Sequence, residues 1–224
     1  MLFMLGSVAL AQNLTFTTRV IVRGEHAKTQ SSKDVVVWLT PLDTSAPALR
    51  QDQHFRLVQH NKSFVPHILV VPVGAVVEFP NRDPFFHNVF SLFEGKRFDL
   101  GLYEAGSTRE VHFDRPGISY IFCNIHAQMS AVVVSLTTPY YGVSNSRGEI
   151  SIQNVPAGHY KLQVWYERAP EPLKTISREI TISQNGSSLP PIQLQAANLS
   201  PAHKNKYGHD YEPPQPASPA YEQP

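Results

Sequence analysis

The chain has 224 residues, of which 42% are hydrophobic and 17% charged, with a formal net charge of +1. A sizeable core is therefore available, while a clustered basic footprint for nucleic acid and any long single-sign charge run are excluded. The single cysteine excludes an intramolecular disulfide framework.

Leu2 to Ala11 is almost wholly apolar and ends in the small-x-small triplet Ala9-Leu10-Ala11. It predicts an export leader over residues 1–11 and a periplasmic or secreted protein, although no positive charge precedes the apolar run. A buried first strand is the other reading. The run is short of the roughly 20 residues that span a bilayer. The next apolar run, Ile68 to Val77, is broken by Pro72 and Gly74, so no membrane span is expected. The sequons at Asn13, Asn61, Asn185 and Asn198 read as chance.

The chain shows no helical pattern. It reads as short β-branched and aromatic runs between turn residues, which predicts an all-β protein. Thr18 to Arg23 alternates, and Val35 to Leu39 is a continuous apolar run suited to a buried strand. Strands are expected at His54–Leu57, Ile68–Val71, Ala75–Phe79, His87–Leu92, Glu110–Phe113, Ile118–Phe122 and Ala131–Leu136. Turns at Ser146-Arg147-Gly148 and Pro156-Ala157-Gly158 flank a strand at Glu149–Ile152. Tyr160 to Tyr166 alternates, and Thr175 to Ile182 is read as the last strand. From residue 196 onward the chain is Pro-rich and poor in aliphatic residues. It cannot bury enough surface to offset ordering, so a solvated tail over 196–224 is expected, with a weak metal or partner segment of His203, His209, Tyr207, Tyr211 and Tyr221 as the alternative.

The chemistry concentrates in Phe122-Cys123-Asn124-Ile125-His126-Ala127-Gln128-Met129. Met1 and Met4 lie in the expected leader, which leaves Met129 as the sole methionine beyond it. It follows the sole cysteine by six positions, with His126 midway. Upstream, His87 opens a strand after Pro84-Phe85-Phe86. Two His, one Cys and one Met are the donor set of a blue-copper site, in which a thiolate and two imidazoles lie in a plane and a weak thioether tunes the axis. Cys123 would end a strand, residues 124–128 form a tight loop, and Met129 open the next strand. Phe85, Phe86 and Phe122 are placed to dry the site. Other readings stay open. A lone Cys or Met is often a core residue, zinc takes Cys and His but disfavours thioether, and a Cys–His nucleophile is conceivable.

The stretches VVEFPNRDPFFHNVFS and GISYIFCNIHAQMSAVVVSL resemble the cupredoxins, small blue-copper electron carriers with a Greek-key β-sandwich. The Cys-x2-His-x2-Met loop is most similar to that of amicyanin. The resemblance covers roughly Phe55 to Leu136. It implies one type 1 copper with His87, Cys123, His126 and Met129 as ligands, and Asn88 tying the two ligand loops together by hydrogen bonds. It also implies single-electron transfer with a redox protein such as a c-type cytochrome or a periplasmic dehydrogenase, and no catalysis. The chain is more than twice the size of free-standing carriers.

A second resemblance lies in YYGVSNSRGEISIQNVPAGHYKLQVWYE. It is similar to the carboxypeptidase regulatory-like, transthyretin-like β-sandwich. That family begins with a strand pair, which TRVIVRG and DVVVWLTPL fit. A discontinuous sandwich of residues 14–48 and 137–195 is therefore expected, interrupted by a cupredoxin domain at 49–136, with Trp38 and Trp165 sharing one core. Two tandem domains are the alternative. The competing function is a non-redox module that binds polysaccharide or protein and carries a structural, sensory or storage copper.

Overall fold

The computed structural model describes residues 14–24, 30–49, 53–92, 94–170, 174–183, 187–197 and 203–211. The expected leader at 1–11, the sequons at Asn13, Asn185 and Asn198, and the tail beyond residue 211 lie outside these. Among the described residues there is no helix, and so none long and apolar enough to cross a membrane. The fold is all-β.

In chain order the strands are β1 (Leu14–Arg23), β2 (Val36–Pro41), β3 (Phe55–Arg56), β4 (Val58–His60), β5 (Ser63–Val65) and β6 (Ile68–Pro72). There follow β7 (Ala75–Pro80), β8 (His87–Ser91), β9 (Phe98–Tyr103), β10 (Thr108–Phe113), β11 (Gly117–Cys123) and β12 (Ser130–Leu136). The last six are β13 (Tyr141–Val143), β14 (Glu149–Val155), β15 (Gly158–Trp165), β16 (Thr175–Ile182), β17 (Ser187–Ser188) and β18 (Ile192–Gln195). They fall into two compact units, Met1–Pro47 with Tyr140–Leu199, and Ala48–Pro139 with Ser200–Pro224. The first unit is discontinuous in sequence, and the second interrupts it.

In the first unit, β14-β1-β17 with β18 on β1 forms one sheet and β13-β2-β15-β16 the other. Alternation sends Phe16, Val20 and Val22 of β1, Val37 and Leu39 of β2, and Tyr160, Leu162 and Val164 of β15 into one core. Fully burying each such side chain contributes about 1.5–3 kcal/mol. Gly148 closes the turn before β14 at φ +76°, where an added Cβ would sit 2.1 Å from the Val20 carbonyl oxygen. Only a residue without a side chain fits that approach. Two expectations are corrected here. Trp38 and Trp165 are buried but belong to the opposite face of the β2–β15 pair, because they alternate with the core-facing Val37, Leu39 and Val164. Nor does the chain stop at Ile182. β18 runs parallel to β1, burying Ile192 and Leu194. A four-residue Ile-Gln-Leu-Gln after two prolines is too short a signal to read without knowing its partner.

In the second unit, the sheet β6-β12-β11-β8-β9 faces the sheet β10-β7-β3 across a shared core. β12 pairs parallel with β6 and antiparallel with β11, the crossover of a Greek key. Leu57, Phe79, Val89, Tyr103, Phe113 and Ile121 fill the interior, together with Cys123 and Met129. β9 was not expected from the sequence, since Asp99 and Gly101 weaken its strand pattern. It pairs with β8 and brings Tyr103 opposite His87. The expected strand at 54–57 is only the two residues of β3, followed by the β4–β5 hairpin. Its two-residue turn, Asn61-Lys62, has both residues at positive φ, 52° and 53°, as the twist of a tight hairpin requires.

Candidate metal centre

The end of β11 and the start of β8 are adjacent strands, so the fold sets Cys123 against His87 across 36 positions of sequence. The Cys123 Sγ lies 3.6 Å from His87 Nδ1 and 3.5 Å from His126 Nδ1. All three donor atoms lie within 4.8 Å of one another. The imidazole rings are 4.9 Å apart at 61°. Cys123, His87 and Met129 are wholly buried, and His126 is half-buried. The loop is closed by main-chain bonds that bring its two ends together, from Cys123 N–H to the Met129 carbonyl at 3.2 Å and from Met129 N–H to the His126 carbonyl at 3.0 Å. Met129 thus packs in the same core cluster as Cys123.

Each donor has a distinct electrostatic setting. Burial lowers His87 and His126 below the ordinary histidine value, His126 to about 4, so both rings are neutral at pH 7. Burial pushes the Cys123 thiol up, against main-chain N–H groups of Ile125, Asn88 and His126 that point toward the sulfur. Neutral imidazoles are ready to ligate, whereas the thiol must give up its proton to a metal.

Asp83, which the sequence reading did not single out, supports the site from behind. His87 Nε2–H donates to its Oδ2 at 2.8 Å, which leaves the Nδ1 lone pair facing the sulfur. Asp83 also accepts from the Asn61 and Lys62 N–H groups at 2.6 and 3.0 Å, fastening the hairpin turn to the site. Burial raises this carboxyl, but the bonds from Lys62, His87 and Asn61 more than offset it and hold the group below its usual range. The available signal was an Asp four positions before the His.

Asn88 ties the two ligand loops as expected, but through its main chain, and one other expectation about the surroundings changes. The Asn88 side chain does not bridge the ligand loops. Its Nδ2 donates to Asp99 at 2.7 Å, and the tie is made by its main-chain carbonyl, which accepts from Asn124 N–H at 3.1 Å. Of the three phenylalanines, Phe85 lies against both imidazoles, 5.3 Å from His87 and 5.6 Å from His126. Phe86 is 48% exposed. Phe122, next to Cys123, alternates to the opposite face of β11 and meets Phe90 at 5.8 Å.

The expected solvated tail is also corrected over 203–211. This segment packs on the strand end that carries Cys123, with Tyr211 OH donating to the Cys123 carbonyl at 2.6 Å and the His203 ring 4.1 Å from Phe122. A reading based on aliphatic content alone missed it, because the contacts are made by rings and hydrogen bonds. Together with Asn124 and Ile125, part of the segment lines an open cleft of about 540 Å³.

A buried thiol between two neutral imidazole nitrogens suits a metal that accepts soft sulfur and imidazole together, copper or zinc. No protein-family model and no curated protein matches the chain. Three solved structures to which it is similar are copper proteins. A copper-containing nitrite reductase from Thermus scotoductus SA-01 is 25% identical over 43% of this chain and 25% of its own, with a TM-score of 0.36. A purple cupredoxin from Nitrosopumilus maritimus is 22% identical over 37% of this chain and 99% of its own, with a TM-score of 0.34. A mutant of amicyanin in its reduced Cu(I) form is 20% identical over 45% of this chain and 98% of its own, with a TM-score of 0.36. The match thus spans a quarter of the nitrite reductase. These likenesses are too shallow to assign a function, which must come from the site itself.

Proposed function

We propose that this chain is an exported type 1 copper protein that carries single electrons and is not itself an enzyme. The observation that carries the reading is the buried Cys123 sulfur flanked at 3.6 and 3.5 Å by the Nδ1 atoms of His87 and His126. Met129, wholly buried at the end of the same loop, favours copper over zinc, since a thioether is a soft axial donor that zinc sites rarely use. His87, Cys123, His126 and Met129 would together hold one copper ion. When bound, copper supplies a reversible one-electron couple.

The chain's own residues serve that role. Asp83 holds the His87 ring in one tautomer and orientation. Phe85 keeps water from the imidazoles. His126 is the ligand nearest solvent, on a loop whose Ile125 is 37% exposed, with Phe86 also exposed. That edge suits brief docking of a redox protein, such as a c-type cytochrome or a periplasmic dehydrogenase. The first unit is read as a carboxypeptidase regulatory-like sandwich.

Adding Cu(II) to the purified protein tests the reading. An intense visible thiolate-to-copper band with a reversible one-electron potential is expected, and Cys123→Ser abolishes the band. Wild-type protein that binds Cu(II) without an intense visible band is not a blue-copper protein.

A further inference from the structure

The segment 203–211 grips three consecutive residues of the Cys123 strand end by three different contacts. The His203 ring lies on Phe122, with centroids 4.1 Å apart and planes inclined at 31°. Tyr211 OH donates to the Cys123 carbonyl at 2.6 Å. Lys206 N–H donates to Asn124 Oδ1 at 2.9 Å. The segment is also tied to itself and to a second strand. Tyr211 OH lies 3.2 Å from His203 Nδ1, with the two rings 5.1 Å apart at 88°. Lys206 Nζ pairs at 2.8 Å with Asp99, whose other oxygen receives the Asn88 amide beside His87.

Hydrophobic collapse does not explain this placement. Tyr207 is 70% exposed, and the segment has no aliphatic residue to bury. The contacts are directed hydrogen bonds and ring contacts, and they converge on the backbone that carries the sulfur. A hydrogen bond to the Cys123 carbonyl fixes the 123–124 peptide plane. That plane leads into the Ile125 and His126 N–H groups, which point back at the sulfur. Restraining it restrains the sulfur's hydrogen bonds and the loop that presents His126.

We propose that residues 203–211 are a brace on the thiolate ligand, with Tyr211 and His203 as positioning residues that preset Cys123 and its loop for the metal. This inference rests on the copper reading above. Tyr211 holds the Cys123 carbonyl and His203 the Phe122 ring, so they act on the sulfur by fixing the strand end that carries it. A site supported in this way binds without rearranging, and its metal leaves slowly.

The test uses the full-length protein. Tyr211→Phe keeps the ring and removes the hydroxyl. It should speed loss of Cu(II) to excess EDTA by roughly threefold to tenfold, the factor that one hydrogen bond of ordinary net strength carries. It should also shift the ratio of the visible copper–thiolate bands, which a tail that merely packed would leave alone. His203→Ala should act in the same direction, and His203→Phe, which retains the ring contact, should restore wild-type behaviour. In the metal-free protein, Tyr211→Phe should speed amide hydrogen exchange at Asn124 to His126, a readout independent of any metal. Wild-type copper release, spectrum and exchange in both Tyr211→Phe and His203→Ala would overturn the brace. If wild-type protein gives no intense band with Cu(II), the copper reading fails instead, and unchanged exchange in Tyr211→Phe still overturns the brace by itself.

Discussion

Asp83→Asn isolates the support behind His87. The Asp83 side chain is 3% exposed and accepts three N–H groups, from His87 Nε2 at 2.8 Å, Asn61 at 2.6 Å and Lys62 at 3.0 Å. An amide at this position has one accepting oxygen. Whichever way it turns, its NH2 faces either the Asn61 N–H or the His87 and Lys62 N–H groups, and donors meet. Loss of a carboxylate partner behind a metal-ligating histidine typically weakens metal binding 10- to 100-fold, which is about 1.4–2.7 kcal/mol. Losing a charge-assisted bond from a buried group should also lower the stability of the metal-free protein by about 1.5–3 kcal/mol. Copper affinity is measured by competition with a chelator of known strength, and stability by urea unfolding of the metal-free protein. A variant whose folding is weakened but whose copper affinity matches wild type would refute the idea that Asp83 acts on the metal through His87. It would leave only the role of fastening the Asn61-Lys62 turn.

Three further outcomes are expected. Met129→Leu should fold within about 1.5 kcal/mol of wild type, since the swap nearly conserves volume in the core. Its coloured site should have a raised reduction potential by voltammetry, because the axial thioether that favours Cu(II) is gone. The pH dependence of the metal-free protein has a definite sign. His126 is held down to about 4 by burial and by the neighbouring His87, so the unfolded chain takes up its proton first. Stability should therefore be full above pH 6.5 and decline as pH falls toward 4. Asp83, depressed in the folded state, adds its own loss only as pH drops below about 3.8. Circular-dichroism melts across pH 3 to 8 check both windows, and a flat profile from pH 7 to 4 would contradict a buried neutral His126. In the first unit, Gly148→Ala places a Cβ 2.1 Å from the Val20 carbonyl at a positive φ. The turn must shift, and thermal melting should show at least about 2 kcal/mol of destabilisation.

Local pattern was enough to show that this chain is a β protein. The alternation of Thr18 to Arg23 and of Tyr160 to Tyr166 and the apolar run at Val35 to Leu39 are properties of neighbouring residues, and side-chain direction in a strand has a period of two. The same short-range logic brought Cys123, His126 and Met129 into one loop on spacing alone. It could not decide which face of a sheet is covered, so Trp38 and Trp165 were placed in the wrong core. Nor could it find β9 or β18, whose strand character depends on partners far away in sequence. Asp83 gave no signal for the same reason, and the histidines and tyrosines of 203–211 gave only a weak one. A carboxylate, a histidine and a tyrosine in polar, Pro-rich surroundings look like solvated residues until the chain returns to the site. Only the tertiary structure set His87 beside Cys123, Asp83 behind His87, and Tyr211 on the Cys123 carbonyl, because hydrogen bonds between distant residues leave no periodic trace in the sequence.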